Sequence, residues 1–229
     1  MQRNRRKSLL AALLCATLCS GCSMLVPEEK EQTEDTLQEE TKTYTVKENP
    51  VYFAPEKPTA YIAETYDALS ASLKDGSEEA RAQAAATYFL ADFFTLSNKE
   101  EEGDIGGLDL IPSASADAFR EYAKYYYYHV MPEIRSKQGP GALPEVTKVE
   151  LSQPKQEDVT YMDQSYPGYT WQVKLTYADS PDSSQFKTDA KCTIIKLDDV
   201  HYVDQADVTA DREAGEPASV WKVVAVTDQ

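Results

Sequence analysis

Apolar residues recur at helical spacing through the first half of the chain and alternate with polar ones through the second. Ile62, Tyr66, Leu69 and Leu73 are separated by four, three and four positions, which predicts a helix with one buried face. Asp75-Gly76-Ser77 stops that helix. Ser77, followed by Glu78 and Glu79, predicts the cap and acidic first turn of a second helix over about 78–96. The C-terminal half of this helix is apolar nearly all round, the pattern of an element buried on every side. A third helix is expected from a cap at Ser113 or Ser115 to about Met131. Phe119, Ala123, Tyr126 and Val130 would face inward, and Pro132 would break or kink it.

After Gly139-Pro140-Gly141 the period changes to two. Val149 and Leu151 alternate with charged neighbours, and Trp171, Val173, Leu175 and Tyr177 form the cleanest strand pattern in the chain. Ala190, Cys192 and Ile194 alternate until the phase slips at Ile195, which predicts a bulge. Asp198-Asp199 reads as a turn into a strand at Val200–Val203, and Val220–Thr227 as the last strand. Helices followed by antiparallel strands give an α+β class. This succession, ending in a Trp-containing strand, resembles the NTF2-like (cystatin-like) superfamily over about residues 60–229. The resemblance implies N-terminal helices packed in a strongly curved antiparallel sheet. The sheet makes a cone whose open end holds a ligand, an active site or nothing. Tyr88, Asp92, Tyr126, Trp171 and Trp221 are the candidate cavity or ligand-binding residues.

The N-terminus changes the picture of where such a domain works. Arg3, Arg5, Arg6 and Lys7 precede an apolar run from Leu9 to Leu18, the layout of a secretory signal over residues 1–21. Ser20-Gly21 before Cys22 resembles a bacterial lipobox, which implies diacylation of the Cys22 thiol and anchoring on the extracytoplasmic face of the cell membrane. Two acyl chains supply the anchoring that one cannot. Residues 22–57 hold nine acids, four bases and three prolines with little apolar patterning, and read as an acidic flexible tether. Tyr44-Thr45-Val46 and Val51-Tyr52-Phe53 are the parts of it able to dock on the domain or form an edge strand, and the domain is expected to occupy residues 58–229.

Charge excludes partners. The chain carries a net charge of −16, and its four-base cluster without any acid lies in the signal, so a nucleic-acid partner is not expected. Cysteine usage is spare: Cys15 and Cys19 leave with the signal, and Cys192 remains alone in a strand pattern as a small hydrophobe. Neither a metal site nor a cofactor is implied. The two histidines, His129 and His201, are far apart, and no metalloprotease, nucleophile-elbow or phosphate-loop motif occurs. The acidic segment from Asp198 to Glu216 lacks the order and glycine of a calcium loop and reads as solvated.

Asp92 is the most unusual residue, a carboxylate inside YFLADFFTL, where burial demands a partner. Tyr88 lies one turn before it. Tyr125 to Tyr128 cover a full helical turn, so at least one or two must be exposed. Gly106-Gly107 suggest positive φ or close backbone approach in the loop after the second helix. The expected function is a non-catalytic binding or interaction module of the cell envelope with a possible protein partner. The alternative is a small-ligand carrier or an enzyme using the cone, with Asp92 as acid or base.

Overall fold

The computed structural model describes residues 44–180, 186–199 and 218–227. Four α-helices come first: α1 (Ala60–Asp75), α2 (Glu78–Phe94), α3 (Ser113–Tyr126) and the short α4 (Met131–Gln138). Five strands follow: β1 (Val146–Leu151), β2 (Lys155–Tyr161), β3 (Gln164–Tyr177), β4 (Asp189–Asp199) and β5 (Ala218–Thr227). The class is α+β, with the helices held by a strongly curled antiparallel sheet, a half-barrel.

Local chemistry sets the helix ends. The Thr59 side chain accepts from the Ile62 amide at the start of α1, and Ser77 does the same for Ala80 at the start of α2. α3 departs from the expected form. Pro112 occupies its cap position, it ends at Tyr126, and a single 3-10 turn (Tyr128–Val130) leads into α4. Pro132 does not end a helix but sits in the first turn of α4, where no intrahelical bond needs its missing N–H.

All pairings in the sheet are antiparallel, in the order β1-β3-β4-β5. β3 is 14 residues long, and its two halves serve two neighbours on the same edge. Gln164–Thr170 pairs with β2, and Val173–Tyr177 pairs with β1. The β2–β3 hairpin closes on Met162 and Asp163, both at positive φ, the backbone a two-residue turn needs. The phase slip expected at Ile195 is present: the β4–β5 register shifts between Thr193 and Ile194, and Ile194 and Ile195 are both buried. The expected turn at Asp198-Asp199 does not form, because β4 continues through both residues. The strand expected at Val200–Val203 lies outside the described residues.

α2 runs through the centre and packs on β1, β4 and β5. Every residue from Tyr88 to Phe94 is buried, as its all-round apolar pattern requires. Trp171, Val173 and Leu175 of β3, Ala190, Cys192 and Ile194 of β4, and Val223 of β5 complete the core. No helix of the described residues is long and apolar enough to cross a membrane.

The folded unit begins earlier than residue 58. Residues 44–58 form a strap on the domain, with Tyr52 only 1% exposed. The Tyr52 hydroxyl accepts from the Trp221 amide at 3.1 Å and donates to the Trp221 carbonyl at 3.0 Å, so one side chain satisfies both backbone groups of an edge-strand residue. The Tyr66 hydroxyl donates to the Tyr52 carbonyl at 2.8 Å, and Asn49 Oδ1 accepts from the amides of Val51 and Tyr52. Part of the sequence expected to be tether is therefore core.

Tyr52→Phe keeps the ring but strands two buried backbone groups, and is expected to cost about 2 kcal/mol. Urea unfolding checks this, and an unchanged midpoint would count against the strap as part of the core.

Candidate functional site

Asp92 points from the last turns of α2 toward the loop that follows it. It is 4% exposed and fully engaged. Lys99 Nζ donates to its Oδ1 at 2.5 Å, and the Gly107 amide donates to its Oδ2 at 2.8 Å. Lys99 itself is 5% exposed, so both charges are out of water and each depends on the other. The glycines expected to allow close approach do so in both ways. A Cβ on Gly106 would lie 2.4 Å from the Asp92 carbonyl oxygen, and Gly107 has φ +69°. The Tyr128 hydroxyl completes the fixation, accepting from the Gly106 amide at 3.1 Å and donating to the Phe93 carbonyl at 2.7 Å. From α4, the Arg135 guanidinium holds the carbonyls of Lys99 and Glu100. The loop is a strapped lid on α2 rather than an open mouth.

A second buried polar cluster lies where this loop meets the sheet. Asp109, in a 3-10 turn (Leu108–Leu110), accepts from the strap's Phe53 amide at 2.8 Å. Lys222 of β5, fully buried, donates to the Asp109 carbonyl and lies 3.8 Å from Asp199 of β4. Asp199 accepts from both the amide and the hydroxyl of Ser113 at the start of α3. Burial pushes the Asp109 carboxyl up to about 6, with Lys222 and the Phe53 hydrogen bond opposing. Burial likewise lowers Lys222, against the pull of Asp109 and Asp199.

The residues singled out from sequence divide. Tyr88 and Asp92 do come together inside the domain: burial first, then the charges of Asp92 and Asp109, drives the Tyr88 hydroxyl well above its ordinary range. Its ring packs edge-on against Tyr66 at 5.3 Å. Trp171 and Trp221 both pack on Tyr169, at 5.7 and 5.4 Å, and Trp221 also borders a groove beneath the strap. Tyr126 was expected on the inner face of α3 and is instead 70% exposed. The helix ends at Tyr126, so Tyr127 and Tyr128 turn inward and take that role.

Tyr126 belongs to an outer face with Tyr122 and Tyr125, which are 61% and 64% exposed. These positions follow the three- and four-residue spacing of one helix face. The Tyr122 and Tyr126 rings stack at 4.7 Å. Cys192 is fully buried, and burial raises its thiol to about 12, as suits a small core hydrophobe. His129 is exposed, and Cys22 and His201 lie outside the described residues. So does the acidic segment beyond Asp199. Among the described residues no cluster of three or more His, Cys, Asp or Glu side chains has metal-binding geometry.

Lys99, Asp109, Asp199 and Lys222 were not anticipated as a buried set. Two carried a signal: Lys222 is a lone charge in VWKVVAV, and Asp109 sits between two leucines in LDLI.

Asp92→Asn leaves the Lys99 ammonium buried without its counter-charge and is expected to cost about 3–5 kcal/mol. The double variant Asp92→Asn/Lys99→Met removes both charges and recovers most of that loss; equal losses in the two would disprove the pairing. Because the Asp109 carboxyl is raised in the folded state, its burial penalises folding above about pH 6. That penalty is relieved as pH falls through 6 toward 4; the Asp92 charge adds to it and Lys222 opposes it. The wild type should gain about 2–3 kcal/mol on Asp109→Asn between pH 7 and pH 4 in denaturant titrations. A constant difference would refute the assignment. No protein-family model, curated protein or solved structure matches the chain.

Proposed function

We propose that the chain is a lipid-anchored, non-catalytic binding module of the bacterial cell envelope. Cys22 holds it on the extracytoplasmic face, and its working part is an NTF2-like α+β domain. The basic signal and the Ser20-Gly21-Cys22 sequence support the anchor. The order of helices before a curled antiparallel sheet supports the NTF2-like reading.

The observation that carries the binding role is the tyrosine face of α3. Tyr122, Tyr125 and Tyr126 present three large rings to solvent on one side of a helix. Tyrosine offers contact area and a hydroxyl at low entropic cost, which suits a protein interface. The partner is an envelope protein that covers this face.

A role as carrier or enzyme through Asp92 has less behind it. Both oxygens of that carboxylate are occupied by Lys99 and Gly107, and the side chain is closed off from water. An acid or base must reach the proton it moves.

Two variants test the reading in cells. Wild-type protein should incorporate labelled palmitate and fractionate with membranes, and Cys22→Ala should do neither. A photo-crosslinker at the exposed Ala118, one turn before Tyr122, should capture a protein partner. The Tyr122→Ser/Tyr125→Ser/Tyr126→Ser variant should lose that adduct while its stability stays within about 0.5 kcal/mol. An unlabelled, soluble wild type removes the anchor, and an adduct that survives the triple substitution removes the docking face.

A further inference from the structure

The strap crosses the domain beside α1 and the β4–β5 ladder, and beneath it lies a groove of about 720 Å³. That volume is within the range of small-molecule sites. The groove has two unlike parts. Its apolar surface comes from Val51 of the strap and Leu73 of α1, both partly exposed, over the buried Tyr52 and Trp221. One of its walls is cationic. Glu78 is shared there by Lys196 at 2.6 Å and Arg81 at 3.4 Å. The Arg81 Nε also donates to the Ser72 carbonyl at 3.3 Å, which brings in the last turn of α1 and, two residues on, Lys74.

Lys74, Arg81 and Lys196 thus line this end of the groove, with Glu78 the one carboxylate among them, in a domain with fifteen bases against thirty acids. Elsewhere on the rim Lys47 is accompanied by Glu48 and by Asp67, two turns before Lys74 on α1. The lining as a whole holds four cations and three acids, and its surplus lies at the end where α1 turns into α2 beside Lys196 of β4. A cationic surplus on an acidic domain, beside an apolar floor, selects a ligand by sign and by hydrophobicity together.

We propose that this groove binds a small amphiphile with an anionic head. The carboxylate or phosphate lies against Lys74, Arg81 and Lys196, and the apolar body covers Val51 and Leu73. The half-enclosed wall raises the worth of each charge contact above its value in open water. The site is separate from the tyrosine face of α3, so the two roles stand or fall apart.

Calorimetric titration of the full chain tests the assignment, using ten-carbon probes below their micellar concentrations. Decanoate and decyl phosphate distinguish the two heads, and decyltrimethylammonium and decanol control for sign and for apolar burial alone. At least one anionic probe should bind saturably at one per chain, about tenfold tighter than the ammonium or alcohol probe. Lys74→Glu should weaken it about tenfold. Ala71→Trp, which fills the groove from an exposed position on α1, should abolish binding. Both substitutions lie on the solvent side of a helix, and unchanged melting temperatures verify the fold. Absence of saturable binding by either anion, equal affinity for the ammonium or alcohol probe, or indifference to both substitutions would overturn the proposal.

Discussion

Asp109 joins parts of the chain that share no secondary structure. Its carboxylate accepts the Phe53 amide of the strap, and its carbonyl accepts the Lys222 ammonium of β5. Lys222 reaches on to Asp199 of β4, which in turn holds the first residue of α3. Buried polar groups have no water to fall back on, so each member of this series needs its partner. Strap, loop, sheet edge and third helix are therefore fixed together. The Tyr52 hydroxyl reinforces the same junction by taking both backbone groups of Trp221, the residue before Lys222.

A second fastening closes the other side of the loop. Lys99 and Gly107 occupy Asp92, and Tyr128 and Arg135 pin the backbone around them. The inside of the half-barrel is consequently occupied by its own aromatic and aliphatic side chains around α2. The two surfaces proposed for recognition lie outside it: the tyrosine face of α3 and the groove under the strap. On the proposed anchoring, the strap is also where the tether from Cys22 reaches the domain.

Periodicity made the one-sided and fully buried elements readable. Ile62, Tyr66 and Leu69 had to share a face because α1 buries only one, and the alternation through Trp171, Val173 and Leu175 gave β3 its inward side. Ser77 was legible as a cap because an oxygen is needed there. β2 was not legible: KQEDVTY has no apolar face, and its turn uses Met162 and Asp163 at positive φ without a glycine to announce them. Within the strap Val51-Tyr52-Phe53 was legible as a patch able to dock, but a single buried tyrosine sets up no period, so nothing showed that its hydroxyl would hold Trp221. Tyr126 was misplaced because four consecutive tyrosines fit any helical phase, and only the end of α3 decides between them. Asp92 was recognisable as a buried carboxylate, but its partner Lys99 lies in a charged loop stretch whose path only the glycines hinted at.

The claim on which the account rests is that residues 49–58 belong to the folded core through Asp109 and Tyr52. Native-state hydrogen exchange of the full chain measures this directly. The amides of Tyr52 and Phe53 should open with the same free energy as Val173 and Ile194 in the central strands, by global unfolding. Exchange of the strap amides by local opening, with the central strands still protected, would contradict it.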